Sequence, residues 1–114
     1  MPFIESKVTA KITPEKEEVL KKRLAKAMDC IFGKEEKYLM IGFEDEYKLY
    51  FGGEKLEKGV FIEVKICGQA TRKAFDEMTA EVCRIYEEEL DIPQDKIYVK
   101  YEEVKNWGWN GSNF

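Results

Sequence analysis

The chain has 114 residues, 44% hydrophobic and 37% charged, which is the composition of one small globular domain. It carries 19 Lys and Arg residues against 23 Asp and Glu, and the net charge of −4 disfavours nonspecific nucleic-acid binding. With no histidine, it lacks the commonest general base and the commonest zinc ligand. We find no apolar run of membrane-spanning length and no signal-peptide pattern, so we expect a cytoplasmic protein without membrane insertion.

The cysteines do not suggest a metal or redox site. Cys30, Cys67 and Cys83 are widely spaced, form no Cys-x-x-Cys motif and are odd in number. We therefore expect buried thiols in a reducing compartment.

The first half of the chain predicts a strand, a helix and a second strand. Residues 3–8 are β-compatible, and Thr13-Pro14-Glu15 supplies an N-cap, a first-turn proline and a first-turn acid. Apolar residues then follow at helical spacing as far as Phe32, and Gly33 is a natural stop. Residues 38–43 form an apolar, β-rich run. The segment 47–53 predicts a further short strand that ends in a turn.

The second half repeats the same order. A strand is predicted over Val60 to Ile66, Thr71 can cap a helix that Pro93 closes, and residues 97–101 form the last long strand. In the tail, Asn110-Gly111 predicts a hairpin turn.

An internal repeat supports this division. The segment 3–7, Phe-Ile-Glu-Ser-Lys, recurs as Phe-Ile-Glu-Val-Lys at 61–65, an offset of 58 (61 minus 3), and the apolar phase then matches over some forty positions. We predict a single α+β two-layer domain over 1–114, with repeats at about 2–45 and 60–103 and a tail at 104–114. Its four-stranded mixed sheet carries both helices on one face. We expect the other face to expose apolar residues such as Ile4, Val64 and Ile66, or their alternates, and to favour self-association.

Pro2 is the candidate catalytic residue. Initiator methionine is normally removed before a small residue, which would leave a secondary amine at the start of a strand. In an apolar pocket near a cation, the charged form of that amine is disfavoured, and the neutral amine can serve as a general base. The alternative is a proline at position 2 with no function, which is the common case.

These features together resemble the macrophage migration inhibitory factor (MIF) family of the tautomerase superfamily, along essentially the whole chain. The segment Met1-Pro2-Phe3-Ile4-Glu5 is similar to the N-terminus of its D-dopachrome tautomerase branch. Further similarities, in family order, are Gly33-Lys34 with Tyr38, Phe51-Gly52-Gly53, Ile66-Cys67-Gly68, residues 95–99 and the tail 107–114.

The resemblance implies a homotrimer with active sites between subunits, and a role for each matched position. Pro2 would move a proton between carbon and oxygen of an aromatic α-keto acid, with no metal or organic cofactor. Lys34 would bind the carboxylate or enol oxygen, and the Ile66 backbone N–H would add a donor. The slot for the aromatic ring would be lined by Tyr98 of a neighbouring chain, Trp107 and Phe114.

Each of these residues has a structural alternative. Lys34 can interact with a helix C-terminus, and Tyr98 can be a half-buried strand residue. Trp107 can pack in a subunit seam, as Trp109 is expected to do. Lys100 stands where vertebrate members commonly have asparagine. It either adds a cation to the pocket, as a substrate-binding residue, or faces solvent.

Three functional hypotheses remain open. The first is a keto–enol tautomerase of phenylpyruvate-type acids, with proline-based hydration, decarboxylation or dehalogenation as the other enzymatic possibility. The second is a cytokine-like protein that leaves the cell by a non-classical route and binds a cell-surface receptor. The third is a ferredoxin-like regulatory module without free-proline chemistry.

Overall fold

A computed structural model describes residues 2–32 and 37–114. The elements in chain order are β1 Pro2–Val8, α1 Pro14–Ala27, α2 Asp29–Phe32, β2 Met40–Glu44, β3 Tyr50–Phe51, β4 Glu54–Lys55, β5 Val60–Cys67, α3 Arg72–Leu90, β6 Ile97–Val104, β7 Gly108–Trp109 and β8 Ser112–Asn113. A short 3₁₀ turn, Gln94–Lys96, precedes β6. Within the described ranges, none of the helices has the length and hydropathy needed to cross a bilayer.

The four long strands form one mixed sheet in the order β2-β1-β5-β6. Strand β1 is parallel to β2 and antiparallel to β5, and β5 is parallel to β6. The two β-α-β units thus sit side by side with β1 and β5 at the centre. This architecture confirms the predicted α+β fold class.

Both helix N-termini are capped as their sequences predict. The Thr13 and Thr71 side chains accept hydrogen bonds from the backbone N–H groups of Lys16 and Ala74. The first helical segment, however, is interrupted at Met28, whose N–H is shared between the Leu24 and Ala25 carbonyls at 3.2 Å each. Sharing of this kind tightens a helix end, and α2 starts as a separate turn. The predicted stop at Gly33 lies outside the described residues.

The core lies between the helices and one face of the sheet. Every second residue of β1 and β5 is buried there, while the residues between them are partly exposed on the open face. The fully buried side chains include Ile4, Val8, Leu20, Leu24, Ile62, Val64, Met78, Val82 and Ile85. Ser6 is also buried, and its Oγ accepts a 2.7 Å hydrogen bond from the hydroxyl of Tyr86. Burial raises the pKa of that hydroxyl above its ordinary value.

The prediction of an apolar open face is wrong. Ile4, Val64 and Ile66 face the helices and are at most 1% exposed. Their alternates on the two central strands are Phe3, Phe61 and Cys67 together with four charged residues, Glu5, Lys7, Glu63 and Lys65. The open face is therefore mainly charged, and it does not provide the apolar surface from which self-association was argued.

An ion cluster joins α1 to α3. Glu89 accepts hydrogen bonds from Lys16 at 3.0 Å and from Arg23 at 2.9 Å, and Arg23 also pairs with Glu88 at 2.9 Å. The bond from Lys16, followed by that from Arg23, lowers the pKa of the Glu89 carboxyl. A carboxyl whose pKa is lower in the folded state stabilises the fold above its unfolded pKa, and this contribution is lost as pH falls through the folded value.

We therefore expect Glu89→Gln to lower the free energy of unfolding at pH 7, and the difference from wild type to shrink as pH falls below about 4. Urea unfolding at pH 7, 5 and 3 and at one fixed protein concentration measures this. Glu77→Gln, an exposed change on α3, is the matched control, since Glu77 takes part in no ion pair within the described part of the chain. A Glu89→Gln difference that stays constant over this pH range would contradict the prediction.

Candidate active site

Pro2 lies at one end of the sheet, which we call the Pro2 edge. It is the first residue of β1, a position that suits proline because no backbone N–H is needed there. Its ring is buried, and it pairs with Ile66 across the antiparallel ladder. On either side, Phe3 pairs with Met40 and Ile66 pairs with Glu103. The Pro2 edge therefore consists of the starts of β1 and β2 and the ends of β5 and β6.

An aromatic cluster lies at this edge. The Trp109 ring contacts Tyr38 edge-on at a centroid distance of 5.3 Å and stacks on Phe114 at 6.0 Å. Tyr38 precedes β2, and the tail follows β6, so both approach from the Pro2 edge. Phe114 is 63% exposed, so one side of its ring is open. The cluster offers an exposed aromatic surface at the same edge of the sheet as Pro2.

The tail is held in place by its own turn. Asn110 and Gly111 both have positive φ, 53° and 87°, as the predicted hairpin turn between β7 and β8 requires. The N–H of Phe114 donates a 3.0 Å hydrogen bond to the carbonyl of Trp107, which closes the tail on itself. Trp109, expected to be only a packing residue, is the centre of the cluster. Trp107 is half-buried, and its predicted contact with substrate stays a prediction.

Tyr98 belongs to a different part of the chain. Its ring lies 5.5 Å from Phe51 and 6.2 Å from Phe61, and Lys96 Nζ is 4.9 Å from the Phe51 centroid. These side chains line a cavity of about 180 Å³. Glu103 is the β6 residue level with Pro2, because both pair with Ile66. Tyr98 lies five residues before Glu103, which corresponds to about 16 Å along the strand. Within one chain, Tyr98 and Pro2 are therefore too far apart to share one small substrate.

Lys100 lies on the open face, on the same side of β6 as Tyr98. Its Nζ is 3.2 Å from Glu102 and 3.6 Å from Glu63, and Glu63 also lies 3.9 Å from Lys7. The hydrogen bond to Glu102 and the nearby negative charges raise the pKa of Lys100. The ammonium is charged but already paired. A substrate-binding role for it requires that a second chain bring it to a Pro2 edge.

Ile66 and Lys34 complete the set of predicted substrate-binding residues. Ile66 lies directly opposite Pro2, and the role of its backbone N–H as a donor stays a prediction. Lys34 lies outside the described residues. In the part of the chain that the structure describes, no group of three or more His, Cys, Asp or Glu side chains is arranged to hold a metal ion.

The fold matches known structures along its whole length. A MIF homologue of Prochlorococcus marinus is 31% identical, with a TM-score of 0.86 and 98% of each chain covered. MIF2 of Leishmania major is 28% identical, with a TM-score of 0.92, and the match covers 100% of this chain and 97% of that one. A fused 4-OT protein, described as an asymmetric trimer, shares the fold at 16% identity, with a TM-score of 0.85 over 97% of this chain and 94% of that chain.

A search of curated proteins gives no significant match. The family model for macrophage migration inhibitory factor, in contrast, matches residues 1–114. The resemblance seen in the sequence is thus confirmed, and the chain belongs to the MIF family, with the fold of the tautomerase superfamily.

Proposed function

We propose that this protein is a keto–enol tautomerase of aromatic α-keto acids, with Pro2 as general base and acid after removal of Met1. The observation that carries the proposal is the position of Pro2, a buried residue at the start of a central strand, at the same edge of the sheet as an exposed aromatic cluster. Membership of the MIF family and the fold shared with 4-OT support it. Phenylpyruvate and 4-hydroxyphenylpyruvate are the substrates to assay.

The proton moves between two substrate atoms. The neutral Pro2 nitrogen removes a proton from the carbon next to the keto group, and a proton returns to the oxygen to give the enol. The intermediate is an enolate, whose negative charge is stabilised by fixed hydrogen-bond donors and cations. Burial at the strand start favours the neutral amine, since a charged amine loses solvation there.

We propose further that the complete site lies between subunits of a homotrimer. The Pro2 edge supplies the base and the aromatic cluster, while Tyr98 lies about 16 Å further along the sheet in the same chain. Tyr98 is 57% exposed, so its ring is available to a neighbouring copy. A trimer is the assembly described for the 4-OT neighbour.

The direct test is the rate of phenylpyruvate enolisation, followed by absorbance of the enol. We expect wild-type protein to accelerate the reaction well above the buffer rate and to prefer phenylpyruvate over 2-oxobutanoate, which has no ring for the aromatic cluster. A rate equal to that of buffer alone would contradict the proposal. Export from the cell and binding to a receptor stay predictions.

A further inference from the structure

The tail after β6 contains all the asparagines and all the tryptophans of the chain. The three asparagines, Asn106, Asn110 and Asn113, are all exposed. Only Asn110 is followed by glycine, whereas the other two precede large aromatic residues. Glycine has no side chain to shield its backbone nitrogen, so an asparagine before glycine is the one whose side-chain amide that nitrogen attacks most readily.

Neither reacting group of the Asn110-Gly111 pair is protected by a partner. The side-chain amide of Asn110 and the backbone N–H of Gly111 form no hydrogen bond with any residue in 2–32 or 37–114. Apart from its chain neighbours, no described residue has an atom within 4 Å of the place that a Cβ on Gly111 would take. Both residues are exposed, so water reaches them as well.

The hairpin that carries this pair is small. Strands β7 and β8 have two residues each and form a sheet of their own, apart from the four-stranded sheet. A two-stranded hairpin of this kind is marginally stable by itself, so it opens at a low cost in free energy. Opening is required, because Asn110 holds a left-handed turn conformation, φ 53°, and ring closure needs a different one.

We propose that Asn110 is a site of spontaneous deamidation, and that the isoaspartate product separates the stacked rings of the aromatic cluster. The Gly111 nitrogen forms a bond to the side-chain carbonyl carbon of Asn110. Its proton passes to the side-chain nitrogen, which leaves as ammonia. Water then opens the five-membered imide at either of its two carbonyls, and the products are aspartate and isoaspartate.

The two products have different effects on the tail. Isoaspartate adds one methylene carbon to the backbone, whereas the pairing of Trp109 with Ser112 depends on a two-residue loop. The 6.0 Å stack of Trp109 on Phe114 depends on that pairing in turn. Aspartate leaves the backbone unchanged, and Asp-Gly suits the same turn. The inference goes beyond the proposed function, since it concerns the lifetime of the aromatic surface and not the reaction.

The first test is peptide mapping after incubation of the whole protein at pH 8. We expect Asn110 to convert at least about tenfold faster than Asn106 and Asn113, because a side chain on the following residue hinders the attack. These two asparagines are controls within the same exposed tail. Conversion of Asn110 should be about threefold or more faster in urea, where the turn is already open.

The second test is the near-UV circular dichroism of tryptophan, which reports on the tail alone because both tryptophans lie there. We expect the purified isoaspartate form to lose most of this signal and Asn110→Asp to keep it. Asn110→Gly retains a suitable turn and has no amide, so its signal should stay constant during incubation. Equal conversion of the three asparagines, no conversion of Asn110 in the folded protein, or an unchanged spectrum of the isoaspartate form would overturn the inference.

Discussion

Protein that retains Met1 is expected to enolise phenylpyruvate at least about a hundredfold more slowly than protein that begins at Pro2, which is the scale of a lost general base. The reason is chemical. With Met1 attached, the Pro2 nitrogen belongs to an amide, whose lone pair is delocalised into the carbonyl and is no longer basic. The measurement is kcat/KM for both forms, with intact mass confirming the N-terminus of each.

Pro2→Ala should fall between these two forms, because it keeps an amine but loses the ring that holds the lone pair in one direction. Pro14→Ala is the matched control, since Pro14 is an exposed residue in the first turn of α1, outside the Pro2 edge. Equal rates for the Met1 form, Pro2→Ala and wild type would show that the amine is not the base.

Two impaired variants are expected to recover activity when they are refolded together. Pro2→Ala loses the ring that orients the basic nitrogen and Tyr98→Ala loses the ring that we assign to the neighbouring site, so each alone should be clearly less active than wild type. In a random equal mixture of cyclic trimers, about one site in four combines an intact Pro2 with an intact Tyr98 from the next chain. The measurement is the rate per subunit after joint refolding, compared with that of wild type.

The control mixes Pro2→Ala with the double variant Pro2→Ala/Tyr98→Ala, in which no pairing restores a complete site. Recovery should be absent there. If the first mixture also shows no more activity than the sum of its components, and size measurements confirm that the subunits have mixed, then the site is not shared between chains.

Much of the fold was predictable because the repeat constrains it. Two copies of one strand-helix-strand unit, with β1 and β5 matched in sequence, leave few ways to build one sheet. The N-caps at Thr13 and Thr71 and the turn at Asn110-Gly111 depend on local chemistry, so the sequence predicts them well.

It was harder to predict which face of the sheet packs against the helices. In β5 both sets of alternating residues include apolar side chains, so periodicity alone did not show which set is buried. The charged residues Glu5 and Lys7 mark the open face, but the polar residue Ser6 indicated that the other face of β1 was exposed to solvent. Ser6 is buried because Tyr86, eighty positions away, satisfies its hydroxyl. A partner so distant is visible only in three dimensions.

The candidate site residues stay predictions. Pro2 was selected by its position in the chain, and Tyr98 and Phe114 by the family resemblance. The surroundings of Lys100 could not be predicted, because its pairing with Glu63 depends on the register of β5 and β6.

The proposed mechanism requires that Pro2 carries a free and largely neutral amine at physiological pH. Titration of the Pro2 nitrogen by ¹⁵N NMR, in protein of verified N-terminal mass, measures this directly. We expect a pKa clearly below the value of roughly 8 of an ordinary α-amino group, and a matching rise in kcat/KM as that nitrogen loses its proton. A nitrogen that remains fully protonated at pH 7 would contradict it.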